Sequence, residues 1–138
     1  MSRIVIVSNR LPVTVKKEKD KLSYQQSVGG LATGMSSFQK DYECLWVGWP
    51  GLAREQINSD EKEDLIKKMD QMGNYPVFLS QSHIENYYNG YCNKTIWPLF
   101  HCFNQFTIYQ NHLWEAYKNV NQIFCQTILD IVQPDDTI

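Results

Sequence analysis

The chain has 138 residues, of which 43% are hydrophobic, a composition typical of one globular domain and not of a disordered segment. With 13 basic and 15 acidic residues its formal net charge is −2, which gives no electrostatic reason to expect binding to nucleic acid or to an anionic membrane. No apolar run approaches the length of a membrane span and no signal-peptide core precedes the first strand, so we expect a cytoplasmic protein.

The cysteines and histidines do not form a metal-binding pattern. Cys44, Cys92, Cys102 and Cys125 are irregularly spaced, without a C-x-x-C pair, so we interpret them as ordinary thiols. His101 has no second histidine or acid at the spacing of metal ligands, and we assign it no catalytic role. The sequence therefore predicts neither a metal site nor a cofactor.

The first predicted element is a buried parallel strand over 3–10. It contains four consecutive β-branched residues, from Ile4 to Val7, and ends in polar residues. Arg10 stands at its carboxyl end, which faces the ligand crevice in open α/β sheets. A guanidinium there suits a phosphate group, because it offers two parallel hydrogen bonds; a surface ion pair is an equally good interpretation.

A glycine pair follows a predicted β-hairpin or mobile loop over 13–24. A helix is expected to begin near Gly30, with Leu31, Met35 and Phe38 on one face. Gly29 and Gly30 would present bare backbone N–H groups to an anion at the positive end of this helix. The alternative is a turn that uses the two glycines and binds no ligand.

The middle of the chain alternates strands and helices. A strand over 44–49 ends at Trp49, whose ring is either core packing or a platform for a sugar. The next helix is expected to be capped by Ser59 and to end at Gly73. Its apolar face comprises Leu65, Ile66, Met69 and Met72. A short strand over 75–79 follows.

Two further helices complete the pattern. A capping box from Ser82 to Glu85 predicts the start of a helix with an aromatic stripe, which is core packing unless one phenol reaches a substrate. The stripe consists of Ile84, Tyr87, Tyr88 and Tyr91. The last helix, 113–132, is amphipathic and ends before Pro134, after which 135–138 resembles the turn into another strand. Its apolar face comprises Leu113, Tyr117, Val120, Phe124, Ile128 and Ile131.

Several segments together resemble the trehalose-6-phosphate synthase family of retaining glycosyltransferases. The resemblance covers essentially the whole chain, and five of the motifs occur in the family's order. The segments are 4–12, Gly29-Gly30-Leu31, Trp46-Val47-Gly48-Trp49, Tyr87-Tyr88-Asn89-Gly90, Trp97-Pro98-Leu99-Phe100-His101, Trp114-Glu115-Ala116-Tyr117 and Asn121.

The resemblance implies an α/β fold with a Rossmann-like parallel sheet and flanking helices. Residues 1–138 would be the first part of the N-terminal domain of a two-domain GT-B glycosyltransferase. Members transfer glucose from a nucleotide sugar, usually UDP-glucose, to glucose 6-phosphate without a metal ion. They retain the anomeric configuration, and the leaving diphosphate helps to deprotonate the acceptor, so no protein nucleophile is required.

Site residues are carried over from the family position by position. Arg10 would bind the acceptor's phosphate, and Trp49, Tyr88 and Trp97 would line the acceptor pocket. Gly29 and Gly30 would approach the donor's diphosphate and glucose. The family's basic pair and its donor-base contacts lie beyond Ile138, so we expect no catalytic residue in this chain and no activity from it alone.

Two other functions stay open. One is a related transferase with another phosphorylated acceptor, such as a glucosylglycerol-phosphate synthase; the other is a non-catalytic module that binds sugar phosphates. A dinucleotide-dependent oxidoreductase is disfavoured, because its glycine motif should follow the first strand directly. The sequence leaves open the donor's nucleotide and the oligomeric state, a homo-oligomer being one alternative.

Overall fold

A three-stranded parallel sheet forms the centre of the computed structural model, which describes residues 3–35 and 42–138. Its strands are β1 (Ile4–Arg10), β4 (Cys44–Trp49) and β5 (Asn74–Pro76), in the spatial order β1-β4-β5. Both strand pairs are parallel, with Ile6 opposite Trp46 and Trp46 opposite Asn74. The expected α/β architecture is thereby confirmed.

A separate hairpin joins β1 to the glycine pair. Its strands β2 (Val13–Glu18) and β3 (Lys21–Gln26) are antiparallel, and Lys19 and Asp20 form the tip with φ angles of 47° and 62°. The hairpin is fastened to the neighbouring helix, because Lys17 Nζ forms an ion pair with Glu61 at 2.9 Å. Of the two interpretations, hairpin and mobile loop, the structure contains the hairpin.

The described residues form four helical segments besides the strands. They are α1 (Gly30–Met35), α2 (Ser59–Asp70), α3 over 81–100 and α4 (Asn111–Ile131). The middle of α3, Ile84–Ile96, is π-helical, between the short α-helical pieces Gln81–His83 and Trp97–Phe100. Single 3₁₀ turns occur at Arg54–Gln56 and Asn104–Phe106. Phe38, expected on the first helix, lies outside the described residues.

A membrane-crossing helix would need a longer apolar stretch than any helix formed by the described residues contains.

Two helix starts differ from the sequence prediction. Asn58, not Ser59, caps α2: Glu61 N donates to Asn58 Oδ1, and Asn58 N donates to the Glu61 carboxylate, each at 2.9 Å. This reciprocal box needs an acid three residues after the cap, and Glu61 occupies that place only for Asn58. Similarly Ser80, not Ser82, caps α3, with His83 N donating to Ser80 Oγ at 3.1 Å.

The end of α2 and the following strand agree with the prediction only in part. Gly73 lies shortly after the end of α2 and has a φ of 67°, as expected for a glycine that terminates a helix. Leu65 and Met69 are buried, whereas Ile66 and Met72, predicted on the same face, are exposed. The strand β5 ends at Pro76 and not at 79, and its pairing with β4 closes with a hydrogen bond from Val77 N to Gly48 O at 2.8 Å.

The sheet carries a hydrophobic cluster on each face. Consecutive strand residues point to opposite faces, so Trp46 packs towards the hairpin and α2 while Val47 packs towards α3 and α4. The predicted apolar face of α4 is confirmed, since its members are buried or half-buried. They are Leu113, Tyr117, Val120, Phe124, Ile128 and Ile131.

The chain after α4 returns to the free edge of β1. Thr137 forms a parallel bridge with Ile4, and Val5 N donates to Thr137 O at 2.8 Å. Arg3 fixes this return by donating two hydrogen bonds to the Asp136 carboxylate, at 3.2 and 2.7 Å. The strand β4, which follows in the chain, therefore lies on one side of β1, and the segment after α4 lies on the other side of β1. This is the topological switch point at which open α/β sheets place ligands.

Candidate functional site

The carboxyl end of β1 bends closely over β4. The register shifts between Val7 and Arg10, and Leu11 N donates to Trp49 O at 3.0 Å. Gly48 makes this approach possible, because a Cβ there would lie 2.8 Å from Ser8 O and 2.9 Å from Leu11 N. The bend delivers the last residue of the strand to the switch point.

Arg10 is that residue, and its guanidinium has no anionic partner among the described residues. Its Nη2 donates to Thr14 Oγ1 at 3.3 Å, and its Cζ lies 5.1 Å from the centroid of the Trp49 ring. In the described part of the chain no carboxylate forms an ion pair with Arg10, so the ion-pair interpretation has no support there. A half-buried cation that pairs with no described carboxylate suits an anionic ligand.

Trp49 contacts both Arg10 and Tyr88. Its ring is 5% exposed and lies 5.7 Å from the Tyr88 ring, centroid to centroid. The indole N–H is already donated to Leu52 O at 2.9 Å. Trp49 consequently offers an aromatic wall for Arg10 and not a free hydrogen-bond donor.

A cavity of about 510 Å³ opens at the end of β1, and we call it the Arg10 cavity. Its lining includes Arg10, Tyr88 and Gly29, which the sequence selected, together with the hydroxyls of Thr14 and Ser27. Arg10 and Lys16 are the only charged residues among its described lining residues. The surplus of positive charge favours an anion, and without a carboxylate or imidazole this lining has no conventional general base.

The glycine pair is exposed and sterically open. A Cβ at Gly29 or Gly30 would meet no atom within 4 Å, and neither residue has a positive φ. Gly29 lines the Arg10 cavity and Gly30 begins α1, as the sequence predicted. Binding of a donor by the pair stays a prediction, and so does the alternative of a turn that binds no ligand.

Trp97 lies apart from the other selected residues. It is 53% exposed and stacks on His101 at a centroid distance of 4.0 Å. It lines a different cavity, of about 360 Å³, with Lys94, Phe103 and Phe106. The structure therefore brings Arg10, Tyr88 and Gly29 to one cavity, with Trp49 behind Arg10, and does not bring Trp97 there.

A second cavity, of about 410 Å³, lies beside the end of β1 and is bordered by Asn9, Tyr87 and Asn121. The Oδ1 atom of Asn9 is buried and accepts no hydrogen bond from the described residues. Burial raises the pKa of the Tyr87 phenol far above its usual range, and its hydrogen bond with Cys92 adds to the shift. Tyr87 therefore remains a neutral hydroxyl at physiological pH.

Thr14 and Ser27 are polar site residues that sequence reasoning missed. Their hydroxyl oxygens lie 3.0 Å apart, beside the guanidinium of Arg10. A signal was present, because the period of two places Thr14 on the face opposite the buried Val13 and Val15.

Among the described residues, no group of three or more histidines, cysteines or acids is arranged to hold a metal ion.

Comparison with known proteins identifies similar sequences along the whole chain. A model of glycosyltransferase family 20 matches residues 2–138. The α,α-trehalose-phosphate synthase [UDP-forming] of Botryotinia fuckeliana is 40% identical over 139 residues, which is 99% of this chain and 26% of that protein. The chain thus spans about a quarter of the length of this relative.

Solved structures share the fold. The trehalose-6-phosphate synthase OtsA matches with a TM-score of 0.72 and 28% identity, covering 99% of this chain and 28% of that one. An E. coli structure, described as trehalose-6-phosphate bound with UDP-2-fluoro glucose, matches with a TM-score of 0.69 and 28% identity, covering 98% of this chain and 26% of that one.

Proposed function

The chain belongs to glycosyltransferase family 20, and from this membership we propose that it forms the acceptor-binding part of a trehalose-6-phosphate synthase. The reaction transfers glucose from UDP-glucose to glucose 6-phosphate and yields trehalose 6-phosphate and UDP. The chain spans about a quarter of its relative's length, and we propose that the complete reaction also uses groups outside these 138 residues.

The observation that carries the proposal is the Arg10 guanidinium in a cavity whose described lining residues include no carboxylate. A phosphate dianion there accepts charge-assisted hydrogen bonds from Arg10, whose fork of donors matches two phosphate oxygens. Tyr88 lines the same cavity and offers a phenolic O–H. Trp49 supports the guanidinium from behind through its ring.

These residues contribute to the reaction by binding and orienting the acceptor. Once the phosphate is fixed at Arg10, the sugar ring extends from it towards the donor, which lowers the entropic barrier to transfer. We assign the proton of the attacking hydroxyl to the leaving diphosphate, so the described residues need no general base.

The donor side of the proposal rests on Gly29 and Gly30. Their open surroundings leave the backbone accessible to a diphosphate. The E. coli structure bound with UDP-2-fluoro glucose shares this chain's fold, which supports a nucleotide-sugar donor. We infer UDP-glucose, in keeping with the name of the B. fuckeliana relative.

The test is calorimetric titration of this chain with glucose 6-phosphate, glucose and inorganic phosphate. Arg10→Ala should weaken glucose 6-phosphate about tenfold or more, because a charge-assisted hydrogen bond is lost, and should leave glucose unaffected. Glycerol 3-phosphate, titrated in parallel, checks the alternative acceptor.

Arg54→Ala is the matched control. Arg54 is an exposed arginine whose side chain pairs with Glu55 at 3.2 Å, and it does not line the Arg10 cavity. An equal loss for glucose and glucose 6-phosphate in Arg10→Ala, or the same loss in Arg54→Ala, would refute the phosphate site.

A further inference from the structure

The contacts that hold Arg10 come from two segments, the hairpin strand β2 and residues 49–51 at the end of β4. The Trp49 ring lies beneath its guanidinium, and Thr14, on the hairpin strand β2, accepts a hydrogen bond from its Nη2. The third contact is with Gly51, where an added Cβ would lie 3.0 Å from Arg10 Nη2 and 3.1 Å from Thr14 Cγ2. Arg10 and Thr14 therefore meet in a space that exists because residue 51 has no side chain.

Thr14 is itself oriented by a chain of hydroxyl groups. Its Oγ1 lies 3.0 Å from Ser27 Oγ, and Ser27 Oγ donates to Leu11 O at 3.4 Å. Either hydroxyl can donate across the 3.0 Å contact, and a hydroxyl oxygen has two lone pairs with which to accept. In either case Thr14 Oγ1 keeps a lone pair for Arg10.

We propose that Thr14 is a positioning residue, which acts through Arg10 by holding its guanidinium in place before the acceptor's phosphate arrives. The inference rests on the proposed function for the identity of the ligand. A free arginine side chain has many rotamers, and a ligand that must order them loses affinity. The hydrogen bond to Thr14 restricts those rotamers in the empty protein.

The hydroxyl also contributes to specificity. Thr14 occupies one of the guanidinium's five N–H donors and leaves the remaining donors for an anion. Loss of the hydroxyl should consequently weaken phosphorylated ligands and leave glucose unaffected.

The experiment compares Thr14→Val, which removes the hydroxyl at similar volume, with Thr14→Ser, which keeps it. Ser23→Ala is the hairpin control, because the Ser23 hydroxyl donates to Lys16 O at 3.4 Å and Ser23 is not among the described residues that line the cavity. Thr14 is the better test position than Gly51, whose φ of 105° would strain any substituted side chain.

Two quantities are measured. The first is the order of the Arg10 side chain without ligand, from the ¹⁵N relaxation of its Nε–H group; the second is the affinity for glucose 6-phosphate. We expect Thr14→Val to increase the mobility of Arg10 and to weaken glucose 6-phosphate by about three- to tenfold. Thr14→Ser should restore both quantities, and Ser23→Ala should change neither.

The two measurements separate this inference from the proposed function. An Arg10 side chain equally ordered in the wild type and in Thr14→Val would overturn the positioning role, as would a Thr14→Ser variant that behaves like Thr14→Val. A folded wild-type chain that binds no glucose 6-phosphate would contradict the proposed function instead, while the order of Arg10 would still decide the role of Thr14.

Discussion

Residue by residue, the site depends on where side chains are absent as well as on where they are present. Gly48 lets the end of β1 approach β4, since a Cβ there would collide with backbone atoms of Ser8, Arg10 and Leu11. Backbone atoms move less readily than a flexible side chain. The position of Arg10 therefore depends on a glycine of the neighbouring strand.

We predict that Gly48→Ala destabilises the protein by about 1–3 kcal/mol, because the added methyl group overpacks the junction of β1 and β4. Gly34→Ala is the control, since a Cβ there meets no atom within 4 Å and helix α1 favours alanine over glycine. Urea denaturation measures both. Equal stability of Gly48→Ala and the wild type would show that the contact at Gly48 is unimportant.

The position of Arg10 in the fold could be predicted from the sequence, whereas the residues that hold it could not. A run of β-branched residues ending in Arg10 locates the carboxyl end of a parallel strand, and strand position alone brings the guanidinium to the crevice. Thr14 and Gly51 contact Arg10 only after the hairpin folds back and β4 turns at Pro50. Such contacts between distant segments leave little trace in local patterns.

At the scale of whole elements, the ends of helices are set by single hydrogen-bonding residues. Asn58 and Glu61 exchange hydrogen bonds at the start of α2, and Glu61 also pairs with Lys17 of the hairpin. The Asn58 backbone N–H and the Lys17 ammonium both lower the pKa of the Glu61 carboxyl. Helix start and hairpin are thus joined through one carboxylate.

Asn58→Ala should destabilise the protein by about 1 kcal/mol, because the N-cap acceptor is lost. Ser59→Ala, which alters the neighbouring residue inside the helix, should change stability by only a few tenths of that amount. Thermal unfolding of the two variants distinguishes the caps. A larger loss in Ser59→Ala would favour the cap that the sequence alone suggested.

Element types were easier to predict than their bounds or windings. Periodicity located the long helix α4 and indicated the hairpin, because burial on one face imposes that pattern, whereas β1 was located by its continuous run of β-branched residues. The π-helical winding of Ile84–Ile96 was not predicted, since a pattern based on 3.6 residues per turn does not describe i→i+5 hydrogen bonds. Within the expected tyrosine stripe, Tyr87 and Tyr91 both pack on Tyr117 of α4, whereas Tyr88 lines the Arg10 cavity.

At the scale of the whole molecule, one ion pair fastens the two ends of the chain together. Arg3 and Asp136 are 133 positions apart, and the Asp136 side chain is only 2% exposed. The Arg3 guanidinium, assisted by the Gln133 backbone N–H, lowers the pKa of the Asp136 carboxyl. The pair holds the segment after α4 against the edge of β1 that does not pair with β4.

This pair makes stability depend on pH in a defined direction. Because the folded pKa of Asp136 is below its unfolded value of about 4, the contribution is complete above that value and disappears as the pH falls through the folded pKa. Asp136→Asn should therefore lower the melting temperature at pH 7, with a difference from the wild type that shrinks under acid conditions. A difference independent of pH would exclude a role for the charge.

The most direct test of the acceptor site uses the four tryptophan indole N–H signals in an NMR titration of this chain with glucose 6-phosphate. Trp46 lines the Arg10 cavity and Trp49 contacts Arg10, whereas Trp97 lines another cavity and Trp114 lies on α4. We predict saturable shifts of the Trp46 and Trp49 signals with glucose 6-phosphate, absent with glucose and in Arg10→Ala. Shifts confined to Trp97 or Trp114, or none in a folded chain, would contradict a phosphate site at Arg10.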